Sequence, residues 1–175
     1  MSRFLKQYAR CLIWLLLSEI LCLILAFSFA ILSHAVMQYL SLFFGVAAHC
    51  LLMGNCGQQI AKEQIILYRQ KGFVTPISQP LLLSLLTAVP LWIQYLLLLS
   101  YADSTLVLNL YLLLNAPVLQ INRLILNGTE PFAALSLLRK LMMAALTLIP
   151  SAAVLIGYLS HYPAALAEER AKSKP

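Results

Sequence analysis

Long apolar blocks alternate along the chain with short polar or charged connections. A helix rises about 1.5 Å per residue, so about 20 apolar residues cross the hydrocarbon core of a bilayer. Five blocks have roughly this length, and they predict helices near residues 11–32, 35–53, 81–101, 105–121 and 141–160. The pattern therefore predicts an all-α integral membrane protein, a bundle of about five transmembrane helices.

The short connections predict which helices pair. Ser33-His34 joins the first two helices, and residues 102–104 join the third and fourth. Connections this short force neighbouring helices to run antiparallel. We therefore expect two tight hairpins, with a fifth helix packed beside them.

The long connections predict some structure of their own. Gly54 to Gly57 should end the second helix, because glycine is common just past helix ends. Residues 58–70, and the segment beginning at Pro131, are then expected to form short helices at the cytoplasmic face of the membrane. We predict one membrane domain over residues 1–163, followed by a charged and disordered tail over residues 164–175.

Lys and Arg residues cluster at the ends of the apolar blocks, and cytoplasmic connections carry an excess of these residues. The N-terminus and the two long linkers contain nine of them: Arg3, Lys6, Arg10, Lys62, Arg69, Lys71, Arg123, Arg139 and Lys140. The two predicted hairpin turns contain none, and the C-terminal tail contains three. We therefore predict a multi-pass protein of the cell membrane, with a cytoplasmic N-terminus and an external C-terminus.

Composition supports lipid as the surroundings of this chain. Hydrophobic residues make up 62% of the sequence and charged residues only 10%, and the mean hydropathy is +0.86. Soluble domains have about a quarter charged residues. The net charge of +6 does not indicate nucleic acid, because the basic residues flank apolar blocks and form no stripe with aromatic residues.

Glu19 is the most unusual residue within the apolar blocks. It lies ~12 Å into the first predicted helix, where a charged carboxylate costs ~2.5 kcal/mol or more. We expect its side chain to face the bundle interior and to be paired, hydrated or protonated. Two hypotheses stay open: a proton, cation or substrate site, and a structural hydrogen-bonding group that is protonated or faces a lipid headgroup defect.

Other polar residues fall at comparable depths in the predicted helices. Asn115 and Thr147 lie ~9 Å from the cytoplasmic end, and Gln94 and Asn109 lie ~18 Å from it. With Glu19 they could form one polar seam, serving either as a site or as hydrogen-bonding contacts between helices. Three prolines, Pro90, Pro117 and Pro150, are predicted to kink their helices, since proline removes a helical hydrogen bond.

No pattern in the sequence indicates a catalytic centre, a metal site or a cofactor. His49, Cys50 and Cys56 lack the spacing of a ligand set, and the four cysteines match neither a disulfide framework nor a zinc pair. HExxH, GxSxG and a paired-carboxylate arrangement do not occur in the sequence. We therefore expect a protein that is not an enzyme.

Two classes of function follow from these observations. The first is an accessory, scaffold or regulatory subunit of a membrane assembly, whose partners are the lipid bilayer and other membrane subunits or further copies of this chain. The alternative is a small transporter or permease subunit that works through Glu19 and the polar seam, most simply as an oligomer.

Overall fold

The structure is a computed structural model that describes residues 3–30, 35–72, 74–126 and 131–172. These residues form α-helices, two short 3₁₀ turns and no strand, which confirms the all-helical prediction for this part of the chain. The α-helices are α1 (Arg3–Ala30), α2 (Ala35–Lys71), α3 (Ser78–Ser100), α4 (Thr105–Leu114), α5 (Leu119–Ile125), α6 (Leu137–Leu146) and α7 (Ile149–Lys172).

By length and apolar composition, α1, α2 and α3 could each cross a membrane. Two further pairs qualify only if both members are taken as one span. The segments 105–114 and 116–125 are bent by 96° relative to each other, and α6 and α7 are bent by 41°. The described residues therefore contain three candidate spans, or up to five if each bent pair is one span.

Two predicted helix ends differ from the structure. The helix expected to stop at Gly54–Gly57 instead runs on as α2 to Lys71, because the glycines pack against α7 and the backbone there keeps its helical hydrogen bonds. The tail expected to be disordered from residue 164 is helical as far as Lys172. The predicted Ser33-His34 turn lies outside the described residues.

Contacts between α1 and α2 show that these two helices are antiparallel. Ser18 Oγ lies 3.0 Å from His49 Nδ1, and the Cys22 thiol donates to the Gly45 carbonyl at 3.3 Å. Nearer the start of α1, Arg10 pairs with Glu63. Higher residue numbers in α1 therefore face lower numbers in α2, as the predicted hairpin requires.

Helices α2 and α7 run parallel to each other. Gly54 packs on Gly157, and Arg69 pairs with Glu169 further along both helices. Both helices therefore end beside the start of α1. We call this region the N-terminal end of the bundle, and the opposite region, where α1 ends and α2 begins, the hairpin end. The predicted external C-terminus would put the end of α7 opposite the start of α1, whereas in the structure these two helix ends lie at the same end of the bundle.

The segment between α4 and α6 explains this difference. It was predicted to return to the N-terminal end, yet its described residues, 115–126 and 131–136, stay in the hairpin half of the bundle. The Phe132 ring packs edge-on against Tyr95, 6.3 Å between centroids, and the Tyr95 hydroxyl donates to the Lys140 carbonyl at 2.7 Å. Since Tyr95 lies near the hairpin end of α3, the basic residues Arg139 and Lys140 are at that end as well.

Candidate functional site

A polar cluster lies where α4 ends. Asn115 follows the last residue of α4, and its side-chain amide donates to the Gln94 side-chain oxygen at 3.0 Å and to the Tyr111 carbonyl at 2.9 Å. Asn115 is 2% exposed. Its amide therefore satisfies one carbonyl at the end of α4 and links α4 to α3.

Glu19 belongs to the same cluster. Its carboxyl oxygen Oε2 accepts a hydrogen bond of 3.1 Å from the backbone N–H of Ala116, the first residue of the 3₁₀ turn Ala116–Val118. A helix that ends inside a bundle leaves backbone groups without partners, and a nearby side chain can satisfy them. Glu19 thus links α1 to the segment that follows the end of α4.

Three of the five predicted seam residues come together in this cluster, namely Glu19, Gln94 and Asn115. Thr147 is buried elsewhere, and its hydroxyl donates to the Ala144 carbonyl at 2.6 Å where α6 ends. Asn109 is exposed and lines a separate cavity between α1 and α4. The single seam expected from helix depths is therefore divided over three places.

The three prolines occupy different positions. Pro117 stands within the 3₁₀ turn directly after the 96° bend, and Pro150 is the second residue of α7, directly after the 41° bend. Both sit at the start of a new helical segment, where their missing N–H needs no partner. Pro90 lies inside α3, which continues through it from Ser78 to Ser100.

Helices α2 and α7 approach each other very closely. A Cβ added at Gly57 would overlap the Val154 carbonyl and lie 2.8 Å from the Tyr158 backbone nitrogen. A Cβ added at Gly157 would lie 2.7 Å from the Gly54 carbonyl carbon. The two backbones touch at this point, as they do where small residues meet between membrane helices.

A groove of about 560 Å³ opens beside this contact. Its floor is formed by small residues, among them Gly54, Ala153 and Gly157. Large apolar side chains form its walls, and two of them are strongly exposed: Leu51 at 74% and Ile156 at 66%. The groove is therefore a concave and mainly apolar surface along two parallel helices.

Polar groups also line this groove. Asn55, Gln58 and Ser160 lie along it. Within the described residues, the side chains of Asn55 and Gln58 make no hydrogen bond, whereas the Ser160 hydroxyl donates to the Gly157 carbonyl at 3.0 Å. The groove thus offers two amides to a neighbouring molecule.

Sequence reasoning missed the polar links between α1 and α2. Glu63 accepts hydrogen bonds from Arg10 and from the Gln7 side-chain nitrogen, the latter at 3.2 Å, and Ser18 pairs with His49 in a fully buried position. A signal was present. Residues facing each other across a tight antiparallel hairpin have numbers with a constant total. A turn at Ser33-His34 gives 67, which matches Ser18 with His49 but not the Glu63 contacts, whose numbers total 70 with Gln7 and 73 with Arg10.

The cysteines are free, and Cys11 and Cys56 are buried side by side with 3.7 Å between their sulfur atoms. Their numbers also total 67, so the hairpin register places them together. Across the described ranges, no three His, Cys, Asp or Glu residues form a group that could hold a metal ion.

No protein-family model, curated protein or solved structure matches this chain.

Proposed function

We propose that this chain is a multi-pass cell-membrane protein and a non-enzymatic subunit of a larger membrane assembly, in which the α2–α7 groove holds a transmembrane helix of a partner protein. The observation that carries the proposal is the groove itself. It combines a floor of small residues, exposed apolar walls and two side-chain amides that make no hydrogen bond to any described residue.

The outer surface of the bundle supports insertion in lipid. Large apolar side chains are exposed all around it, for example Leu16 at 62%, Phe43 at 67% and Leu138 at 68%. Monomeric soluble proteins rarely expose apolar patches this extensive. The described helices α1, α2, α3 and the bent pair α6–α7 would make four crossings, and α4–α5 would be a re-entrant element that enters and leaves at the hairpin end.

Charge supports a cytoplasmic position for both ends of the chain. An excess of Lys and Arg marks the cytoplasmic side. Eight basic residues of the described ranges belong to the N-terminal end: Arg3, Lys6, Arg10, Lys62, Arg69, Lys71, Arg170 and Lys172. Only Arg123, Arg139 and Lys140 belong to the hairpin half. This proposal replaces the external C-terminus that the sequence alone had suggested.

The length of α2 also fits this arrangement. Its 37 residues extend over about 55 Å, whereas the hydrocarbon core is about 30 Å thick. The C-terminal parts of α2 and α7, with the start of α1, would therefore project into the cytoplasm. Arg69 and Glu169, which join α2 to α7, lie in this projection.

The chemistry of the groove suits a transmembrane helix better than lipid alone. Small residues let a second backbone approach closely, which strengthens van der Waals contact and permits interhelical hydrogen bonds. The Asn55 and Gln58 amides can supply such bonds. The buried polar cluster favours the same proposal, because Glu19 and Asn115 already bind groups of this chain.

A photocrosslinking experiment in intact membranes tests the groove. Photoreactive residues at Leu51 and Ile156, which face the groove, should give the same protein adduct, and the partner should co-purify stoichiometrically in mild detergent. Ala152→Trp fills the groove without touching the glycine contact and should abolish the adduct. Ala145→Trp, an exposed position on α6, is the matched control and should keep it.

Two results would overturn the docking proposal. One is a clean monomer in mild detergent without any protein adduct. The other is an adduct that survives Ala152→Trp, since the crosslink would then arise outside the groove.

Cysteine labelling tests the orientation separately. In a background without the native cysteines, Lys172→Cys should react with a membrane-impermeant maleimide only after permeabilisation, because α7 would end in the cytoplasm. Asp103→Cys, between α3 and α4, should react in intact cells. Labelling of the cysteine at 172 from outside would overturn this orientation and favour the external C-terminus predicted from the sequence.

A further inference from the structure

A second cavity lies in the hairpin half of the bundle, between α1 and the α4–α5 element. Its volume is about 220 Å³. Leu23, Phe27 and Leu113 contribute an apolar wall, and Asn109, Gln120 and Arg123 contribute polar groups. The cavity is therefore lined by both polar and apolar groups.

Arg123 is the charged group of this cavity. Within the described residues, the Arg123 guanidinium makes no ion pair and no hydrogen bond. A guanidinium near the apolar part of a membrane is costly unless a partner or water compensates its charge. Arginine presents a planar set of donors that matches phosphate oxygens, and the neighbouring side-chain amides of Asn109 and Gln120 can add further hydrogen bonds.

We propose that this cavity binds the phosphate group of a phospholipid, with Arg123 as its main ligand and Asn109 and Gln120 beside it. The acyl chains would lie along Leu23 and Phe27. A phosphate group could also reach Arg123 as a free ion, but the apolar wall adds contact area only for an amphiphile.

The inference rests on the proposed membrane insertion and not on the α2–α7 groove. The two can therefore fail separately. Ala152→Trp, which blocks the groove, should leave phospholipid binding unchanged, and a substitution in the Arg123 cavity should leave the groove adduct unchanged.

Native mass spectrometry of the delipidated protein in a non-ionic detergent tests the site. The probes are a short-chain phosphatidylglycerol, a diacylglycerol with the same chains, and inorganic phosphate. The wild type should bind the phosphatidylglycerol more tightly than either of the other two. Arg123→Gln should weaken this binding about tenfold or more, because a charge-assisted phosphate contact is lost.

Matched variants separate a site from a general effect of charge. Arg139→Gln removes a positive charge from the same half of the bundle, and should change binding by less than about twofold, because Arg139 does not line the cavity. Ala26→Trp fills the cavity and leaves Arg123 in place, so it should weaken binding as Arg123→Gln does. Ala145→Trp should leave lipid binding unchanged.

Arg123→Lys keeps the charge but loses the planar donor set, and should bind the lipid with intermediate strength.

Three outcomes would overturn the inference. Equal losses in Arg123→Gln and Arg139→Gln would mean that only net charge matters. Unchanged binding in Ala26→Trp would place the lipid elsewhere. Inorganic phosphate binding as tightly as the phosphatidylglycerol would make the ligand a free phosphate and not a lipid. Circular dichroism and size-exclusion profiles equal to those of the wild type ensure that each variant is folded.

Discussion

Two stretches of this chain contain residues that commonly end helices, and they behave in opposite ways. α2 runs straight through Gly54 and Gly57, whereas α4 stops before Asn115 and Pro117. The glycines keep their N–H groups, so the helix continues. Because the glycines have no side chains, the backbone of α2 packs directly against α7 at this point. Pro117 has no N–H, and Glu19 binds the backbone N–H freed at the break.

This comparison teaches what decides a helix stop inside a bundle. A glycine lowers helix stability by about 1 kcal/mol relative to alanine, and close packing against another helix can offset that loss. A helix end inside the bundle also needs partners for its backbone groups. Asn115 and Glu19 supply them after α4, and the glycines of α2 require none.

The largest expected effect concerns the first stretch. Gly57→Ala places a methyl group against the Val154 carbonyl and should force α2 and α7 apart. Overpacking two rigid backbones should destabilise the protein by about 2–3 kcal/mol. The shift can be measured as a lower midpoint of SDS-induced unfolding followed by circular dichroism.

Gly54→Ala is the matched control, one turn away on the same helix. An added Cβ there lies 3.7 Å from the Ala153 carbonyl oxygen, which is ordinary contact. The variant should be neutral or slightly more stable, because alanine favours helix. Equal midpoints for Gly54→Ala and Gly57→Ala would contradict the described contact between α2 and α7.

The sequence predicted where several helices lie, but not how the two stretches would differ. Apolar block length was enough to locate α1, the start of α2, and α3. The glycines could not be assigned correctly, because only the approach of α7, about 100 residues later, decides whether Gly57 ends a helix or packs against one. That partner becomes visible only in three dimensions.

The second expected effect on stability concerns the break where α4 ends. Glu19→Leu removes the acceptor of the Ala116 N–H and leaves a buried donor without a partner. The loss should be about 1–2 kcal/mol in the same SDS titration. Glu19→Gln keeps an acceptor oxygen and should lose less.

The same pair of variants separates the two functional hypotheses. If the chain were a transporter working through Glu19, the folded Glu19→Gln variant should lose a pH-dependent flux in proteoliposomes. Under the subunit proposal, Glu19→Gln keeps both its fold and the groove adduct. A Glu19→Leu protein as stable as the wild type would contradict the role of Glu19 at the break.

The candidate site shows the same division between what the sequence predicts and what it does not. Counting depth along the helices placed Glu19, Gln94 and Asn115 at comparable depths of ~12, ~18 and ~9 Å. The structure joins them through hydrogen bonds at the break. Depth could not separate Asn109 from them, because Asn109 faces a different side of α4. The prediction also grouped Arg123 with the N-terminus, whereas the structure places it in the hairpin half, because hydropathy does not show the 96° bend after α4.

The smallest expected effect on stability concerns the C-terminal ends of α2 and α7. Arg69 donates to Glu169 at 2.5 Å, and this hydrogen bond holds the pKa of the Glu169 carboxyl below its ordinary value of 4.5. A carboxyl whose pKa is lowered by folding stabilises the protein above its unfolded pKa, and the stabilisation disappears as the pH falls through the folded pKa. Glu169→Gln should therefore be slightly less stable than the wild type at neutral pH, and the difference should close in acid.

The difference should also shrink at high salt, because ions screen an exposed pair. Glu168→Gln is the control on the neighbouring residue. Glu168 binds Lys172 within α7, and it acts on Arg69 of α2 only through a weaker charge interaction, so this variant should affect the α2–α7 pair less than Glu169→Gln does. A stability gap for Glu169→Gln that widens in acid, or one that Glu168→Gln reproduces, would show that the Arg69–Glu169 bond does not join the two helices. α2 and α7 would then be held together by the glycine contact and by the buried apolar residues that they share, such as Ile60 and Tyr158.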